Sequence, residues 1–249
     1  MSRYFLEVSY KGTAYSGFQT QKNADTIQSE VEKAFEVLQK KKIVMVGSSR
    51  TDAGVHAFQN FFHFDYNEEL NPQFRYKLNA ILPADIVIKN VLPVSDEAHC
   101  RFDAVSREYK YFIYRFKNPF YRETAFFFPY KMHIEKLQQY AKTIMSYTDF
   151  SSFSKKRTQV KNFNCSIMES EWYWQDDMLV YRVKANRFLR GMVRALVATM
   201  LKLSREDQDN NVFRKIIEAK DSSRTYFGAP AHGLFLVKVE YPADIVKEK

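Results

Sequence analysis

The stretch GSSRTDAGVHAFQNFFHFD, residues 47–65, organises the interpretation of the whole chain. The apolar run 43–46 leads into it, and a second apolar run, 58–64, closes it. Both runs are typical of buried strands, so the small and polar residues between them predict a tight loop. Charged residues on such a loop are candidates for function, because a rigid scaffold holds them at the surface.

Asp52 is the strongest candidate on this loop. A free aspartate has a pKa of about 4, so it is ionised at neutral pH and can act as nucleophile, base or metal ligand. A lone aspartate in a turn more often bonds its own backbone. Here Arg50 lies two residues away, and Ala53 and Gly54 leave room for a substrate. His56 lacks further acids or histidines nearby to complete a metal shell, so we expect it to brace the loop.

The composition describes a basic protein that can bury a core. The chain has 249 residues, 45% of them hydrophobic, which suits one large domain or two fused smaller ones. Its net charge of +9 favours a polyanionic partner, because lysine and arginine neutralise phosphates and release counterions. A soluble basic protein without such a partner is the alternative reading of the charge.

The cysteines and the N-terminal segment indicate a cytoplasmic protein. Cys100 and Cys165 are the only cysteines and form no CxxC pair, which makes a zinc site improbable and excludes a disulfide framework. The N-terminal segment MSRYFLEVSYKG alternates like a strand and lacks the apolar centre of a signal peptide. No apolar run reaches membrane-spanning length, so we expect no membrane association.

Strand and helix patterns mix without a regular βαβ repeat, which predicts an α+β fold with largely antiparallel pairing. We expect two similar α/β sandwich subdomains of ferredoxin or RRM type, residues 1–104 and 105–249. They would share a largely antiparallel mixed sheet with helices packed on it, and the active-site cleft would lie between them. The predicted strands are 3–12, 43–46, 58–65, 85–94, 106–116, 165–174, 178–186 and 233–242, and the predicted helices are 26–38, 72–82, 133–145, 187–204 and 211–220.

Three arginines form a basic pattern in the second half. Arg187, Arg190 and Arg194 recur at helical spacings of three and four on the predicted helix 187–204. A solvated charged face is the usual reading of such a stripe. Because no glutamate follows until Glu206, the arginines also suit phosphate groups.

Two further features are compatible with RNA. The segment 155–161 is rich in lysine and arginine and predicts a basic loop over the same kind of ligand. Tyr109, on the predicted strand 106–116, would by itself be read as packing. Together with Asp52 and the arginines, Tyr109 becomes a candidate for stacking on a base.

These residues give the chain a resemblance to a known family. The octapeptide RTDAGVHA, residues 50–57, matches the active-site motif of the TruA-type tRNA pseudouridine synthases. The similarity runs nearly from end to end through six further segments in the same order, which are YKGTAYSGFQTQ, LNAILPADI, RFDAVSREYKYFIY, FSSF, KANRFLRGMVR and GLFLVKVEYP.

The resemblance implies an isomerase that converts uridine to pseudouridine at positions 38, 39 and 40 in the anticodon stem–loop of tRNA. The reaction breaks the N-glycosidic bond, turns the uracil and rejoins it through C5, so no cofactor and no metal are expected. A homodimer is also implied. Two alternatives stay open, which are the same chemistry on a different RNA uridine and an RNA-binding protein without catalysis. A metal-dependent nuclease would need clustered acids beside Asp52, and the sequence offers none there.

The resemblance also implies the catalytic residues. Asp52 would be the nucleophile, Tyr109 would stack on the uracil and relay a proton, and Arg194 would orient the carboxylate and keep it ionised. The family usually has glycine where this chain has Ser49. If that position needed a positive φ, Ser49 would be strained.

The remaining implied residues hold the substrate. A uridine inside a stem must be flipped out before it can react, and the resemblance places Arg50 in the gap that it leaves. Leu234 would form an aliphatic wall under the uracil. Arg187 and Arg190 would contact tRNA phosphates.

Overall fold

The computed structural model describes residues 1–155 and 160–246, and the chain forms two compact units. One unit comprises Met1–Val105 and the C-terminal stretch from Phe235, and the other comprises Ser106–Leu234. The subdomains at 1–104 and 105–249 stay a prediction. The last strand belongs to the same compact unit as the N-terminal residues, and not to the unit formed by the residues before it.

Nine strands and five α-helices lie in the described residues. In chain order they are β1 (Ser2–Tyr10), α1 (Ile27–Gln39), β2 (Val46–Gly47), β3 (His56–Tyr66), α2 (Phe74–Ile81), β4 (Ile86–Val94), β5 (Ser106–Tyr114), β6 (Phe126–Phe127), α3 (Ile134–Ile144), β7 (Ile167–Gln175), β8 (Met178–Ala185), α4 (Met192–Arg205), α5 (Asn210–Glu218) and β9 (Leu234–Glu240).

The sheet of the first unit has the strand order β4-β1-β3-β9. The short strand β2 pairs with the C-terminal half of β3. β1 lies antiparallel to β3 and to β4, whereas β3 and β9 are parallel. The parallel pair sets His56 opposite Phe235. The start of β3, directly after the RTD motif, is therefore fixed by the last strand of the chain.

Helix α1 covers this sheet and is fixed at its start by a reciprocal cap. The hydroxyl of Thr26 accepts a hydrogen bond from the Ser29 amide, and Ser29 Oγ accepts one from the Thr26 amide. Val31 and Phe35, four residues apart, share the buried face. The ring of Phe35 packs edge-on against Phe64 of β3 at 5.5 Å. The apolar residues that recur at helical spacing in the sequence thus form the contact between helix and sheet.

The second unit is organised on the hairpin of β7 and β8. β8 pairs antiparallel with both β7 and β5, and β6 pairs parallel with β5. Asp176, in the left-handed region at φ 50°, makes the hairpin turn. Trp172 of β7 is fully buried, and its Nε1 donates to Met200 Sδ of α4 at 3.3 Å. Tryptophan needs a partner for its N–H inside a core, and this contact provides one.

The predicted fold class is confirmed, because helices pack on largely antiparallel, mixed sheets in an α+β arrangement. The predicted strand 43–46 is wrong in most of its length, since only Val46–Gly47 pairs as β2. Val44 is 81% exposed, so apolar character there does not report burial. The predicted cleft between the halves stays a prediction. No helix in the described ranges is long and apolar enough to span a bilayer.

The core packing of α1 gives a stability test with a matched control. Val31 is fully buried, whereas Val37 on the same helix is 54% exposed. Val31→Ala should lower the free energy of unfolding by roughly 2 kcal/mol, through lost burial and the cavity left behind. Val37→Ala should change it by less than about 0.5 kcal/mol. Urea denaturation measures both, and equal losses would contradict the packing described for α1.

Candidate active site

The RTD loop, residues 48–55, joins β2 to β3 and carries two charged residues, Arg50 and Asp52. The Val55 amide donates to the Asp52 carbonyl at 3.1 Å, which closes a tight turn around Gly54 at φ 77°. Asp52 is partly exposed, and Arg50 is exposed and borders a cavity of about 130 Å³ that Phe18 also lines. Both charged residues of the loop are therefore at least partly accessible, Arg50 more than Asp52.

A buried side chain of β3 fixes the backbone before Arg50. Asn60 Oδ1 accepts from the Ser49 amide at 3.2 Å, and Asn60 Nδ2 donates to the Ser49 carbonyl at 2.9 Å. The same Nδ2 donates to Tyr10 Oη at 3.2 Å. The Tyr10 hydroxyl in turn shares a 2.7 Å hydrogen bond with Thr51 Oγ1. The residues on both sides of Arg50 are thus tied to β1 and β3.

Ser49 adopts an ordinary backbone conformation. It is not among the residues with positive φ in the described part of the chain. The strain considered for a serine in place of the family's glycine therefore does not arise. The glycine-dependent position of the loop is Gly54 instead.

His56 braces the loop, as expected from the sequence. Its Nδ1 accepts from the Gly12 amide at 3.0 Å, and its ring stacks on Phe235 at 4.5 Å between centroids. A Cβ on Gly12 would lie 2.0 Å from the Val55 carbonyl oxygen, so only glycine permits this approach. Among the described residues, no group of three or more His, Cys, Asp or Glu is arranged to hold a metal ion.

Tyr109 and Arg194 lie in the second unit. Tyr109 stands on β5, and its ring meets Phe188 edge-to-face at 5.1 Å. Arg194 is in the first turn of α4, where the helix dipole disfavours a cation. Its Nε donates to the Ala229 carbonyl at 2.8 Å. That hydrogen bond holds the guanidinium plane in one orientation despite the unfavourable dipole.

A tyrosine that sequence analysis did not select fixes the segment around Ala229. Tyr111 is fully buried on β5, and its hydroxyl donates to the Pro230 carbonyl at 2.8 Å. Burial raises the pKa of Tyr111, so the phenol remains a donor. A Cβ on Gly233 would lie 2.6 Å from the Tyr111 ring. Leu234 follows directly and is buried. Tyr111 thereby positions the carbonyl that orients Arg194.

The predicted helical stripe of three arginines is wrong. Gly191, in the left-handed region at φ 75°, precedes the helix, so α4 begins only at Met192. Arg187 and Arg190 therefore lie before α4, and only Arg194 is helical. The Arg190 carbonyl accepts from the Lys155 amide at 3.1 Å, and Arg190 is exposed. Contact of Arg187 and Arg190 with phosphates stays a prediction. Two members of the predicted basic loop, Lys156 and Arg157, lie outside the described residues.

The predicted site residues thus divide between the two units. Asp52 and Arg50 belong to the first unit, and the others belong to the second, which are Tyr109, Arg187, Arg190, Arg194 and Leu234. Their catalytic and substrate-binding roles stay predictions. Asn60 was not predicted, although its position in the sequence carried a signal. An amide within a run of phenylalanines is expected to be buried and therefore to need hydrogen-bond partners.

Comparisons with known proteins define the class to which this fold and this loop belong. The family model described as tRNA pseudouridine synthase matches residues 7–103 and 147–242. Over 248 residues the chain is 42% identical to tRNA pseudouridine synthase A of Bacteroides fragilis, with 98% of each chain covered. For the enzyme of the same name from Parabacteroides distasonis the identity is 41% over 247 residues, again with 98% of each covered. For that of Staphylococcus aureus it is 36% over 242 residues, covering 95% of this chain and 90% of the relative. The chain belongs to the tRNA pseudouridine synthase family.

The hydroxyl of Tyr10 should matter for both stability and catalysis. Tyr10→Phe removes the hydrogen bonds to Thr51 and Asn60, so we expect a loss of about 1 kcal/mol in unfolding free energy. We also expect kcat for pseudouridine formation to fall severalfold, because Thr51 adjoins Asp52. Tyr4→Phe on the same strand is the control, since the Tyr4 hydroxyl has no hydrogen bond in the described part of the chain. Equal behaviour of both variants would contradict the role given to Tyr10.

A second test asks whether Tyr111 positions Arg194 for the reaction. Tyr111→Phe releases the Pro230 carbonyl, and we expect kcat to fall roughly tenfold with little change in KM for tRNA. Tyr114→Phe on the same strand should retain activity, because no hydrogen bond of its hydroxyl exists within the described ranges. Steady-state kinetics on the two purified variants makes the comparison. A Tyr111→Phe enzyme with normal kcat would remove Tyr111 from the positioning of Arg194.

Proposed function

We propose that this protein converts uridine to pseudouridine at positions 38, 39 and 40 in the anticodon stem–loop of tRNA. The observation that carries the proposal is the RTD motif of a family that the chain matches along nearly its whole length. The RTD loop supports it physically, because a partly exposed carboxylate sits on a backbone held by buried hydrogen bonds.

Asp52 is the nucleophile in this proposal. The reaction needs the uridine outside its stack, since a paired base does not present its glycosidic bond to a side chain. The N1–C1′ bond breaks, the uracil turns, and the C5–C1′ bond forms, and the bond made by Asp52 is broken again before the product leaves. C5 then loses its proton to solvent and N1 takes up a proton, so atoms and electrons balance without an added reactant.

Tyr109 and Arg194 complete the catalytic set. Tyr109 is the aromatic platform for the uracil, and the edge contact with Phe188 restrains its ring. Arg194 is the cation that keeps the nucleophile ionised, and the Ala229 carbonyl fixes its guanidinium beforehand. A preorganised cation costs no reorientation when charge moves during the reaction.

The substrate-binding part of the proposal rests on position and charge. Arg50 is exposed beside Asp52 and occupies the gap left by the flipped uridine. Leu234 forms the wall under the uracil, and Arg187 and Arg190 contact phosphates. The net charge of +9 supports a polyanionic substrate. We further propose a homodimer and a cytoplasmic location, in keeping with the family resemblance.

The nucleophile can be tested by release of tritium from C5 of uridine in tRNA. Asp52→Asn should abolish release while tRNA affinity stays within about threefold, because the variant removes one negative charge and little volume. Asp25→Asn is the control, since Asp25 is an exposed aspartate of the same unit that pairs with Lys33. The control should match the wild type.

The outcomes separate the remaining alternatives. Release by wild type on unmodified tRNA, followed by mapping of the modified positions, distinguishes the 38–40 set from other uridines. Tight tRNA binding without any release by wild type would favour a binding protein without catalysis. Activity retained by Asp52→Asn would remove Asp52 as the nucleophile.

A further inference from the structure

Two phenylalanines of the second unit stand out by their exposure. Phe120 is 87% exposed and Phe116 is 82% exposed, the highest values of any aromatic side chain in the described residues. Both lie on the aromatic loop, residues 115–122 with the sequence RFKNPFYR, which connects β5 to β6. None of the residues in the proposed catalytic and substrate-binding set lies on this loop.

The aromatic loop is held in place at its base. Asn118 Oδ1 accepts from the Phe120 amide at 3.0 Å, and Pro119 fixes the first position of a short helical turn. The ring of Tyr121 packs edge-on against the buried Tyr114 at 5.6 Å. The Ala125 amide donates to the Tyr121 carbonyl at 2.9 Å. The loop is therefore built to hold Phe116 and Phe120 outward, where water opposes their exposure.

Cations alternate with these rings along the loop. Arg115, Lys117 and Arg122 are all exposed, and no ion pair of these three is found within the described ranges. Exposed rings with interleaved cations match the requirements of single-stranded RNA. Unstacked bases bind to aromatic faces, and the neighbouring phosphates bind to lysine and arginine.

We propose that the aromatic loop binds unpaired nucleotides of the tRNA substrate other than the uridine that reacts. Phe116 and Phe120 stack on bases, and Arg115, Lys117 and Arg122 contact the adjoining phosphates. The inference rests on the proposed function for its RNA, because tRNA loops supply the unpaired bases that a duplex does not.

A second copy of the chain is the competing occupant, and the charges disfavour it. In a two-fold interface the same patch meets itself, so the three cations of one loop would approach those of the other. Like charges that face each other across an interface are unfavourable, and residues 115–122 contain no acidic side chain to offset them. A polyanion satisfies both the rings and the cations.

The test compares binding of an unmodified tRNA transcript by fluorescence anisotropy. The double variant Phe116→Ala, Phe120→Ala should weaken binding by about 10-fold to 100-fold, since each stacked base contributes roughly 1–3 kcal/mol. Phe116→Leu with Phe120→Leu keeps apolar area but no ring face, and it should also bind at least about threefold more weakly. Both changes lie at exposed positions, so folding should be retained.

Trp174→Ala is the matched control. Trp174 is also an exposed aromatic residue of the second unit, at 49%, but Asp176 and Asp177 follow it in place of cations. Its affinity for tRNA should stay within about twofold of wild type. The alanine double variant should also retain the wild-type rate of tritium release when tRNA is saturating, because the loop contributes to binding and not to the reaction.

Three results would overturn the inference. The first is an unchanged tRNA affinity of the alanine double variant, and the second is an equal loss of tRNA affinity in Trp174→Ala. The third is that, without RNA, the alanine double variant no longer forms the oligomer of the wild type, while the leucine double variant binds tRNA as tightly as wild type. The last would assign the loop to a second copy of the chain. Failure of the proposed function looks different, because wild type would then release no tritium while the alanine variant still lost tRNA affinity.

Discussion

The pair of hydrogen bonds between Asn60 and the backbone of Ser49 is the constraint on which the candidate site depends. A loop that presents a carboxylate and a guanidinium to a substrate cannot be fixed by burying those groups, because burial would penalise their charged forms. The backbone beside them must be held instead. Asn60 does so from inside the sheet, where an unsatisfied amide would cost about 1–3 kcal/mol. The need to satisfy that amide therefore defines the path of the loop.

The second unit solves the same problem with different groups. Arg194 occupies the end of a helix where its charge is disfavoured, and the carbonyl of Ala229 compensates. That carbonyl belongs to a segment fastened by the buried hydroxyl of Tyr111. In both units a tyrosine on a strand carries the restraint, Tyr10 in the first and Tyr111 in the second. A rigid sheet thereby supports charged groups that must stay accessible.

Local pattern predicted most of the elements and little of what holds the site. The apolar period of α1 and the alternation of β5 are signals contained within a few residues, so they were readable. The start of α4 was not, because the left-handed conformation of Gly191 interrupts a spacing that otherwise looks helical. Tyr111 had no local signal at all, since its partner lies 119 residues away. Periodicity reports burial, whereas a long-range hydrogen bond depends on how the chain folds back. Asp52 was selected as a candidate from its neighbours on the loop, whereas its role as nucleophile came from the family resemblance and stays a prediction.

The return of β9 to the first unit has a consequence for how the protein is made. His56 stacks on Phe235, and Gln59 Oε1 accepts from the Val239 amide 180 residues further along the chain. A ribosome adding roughly 5–20 residues per second needs about 10–35 s to span that interval. During this time the whole second unit emerges, while the first residues of β3 lack their pairing with β9. The RTD loop is thus among the first parts translated and among the last to gain its full support, so a nascent chain interrupted in the second unit would hold the RTD motif and His56 without Phe235, on which His56 stacks.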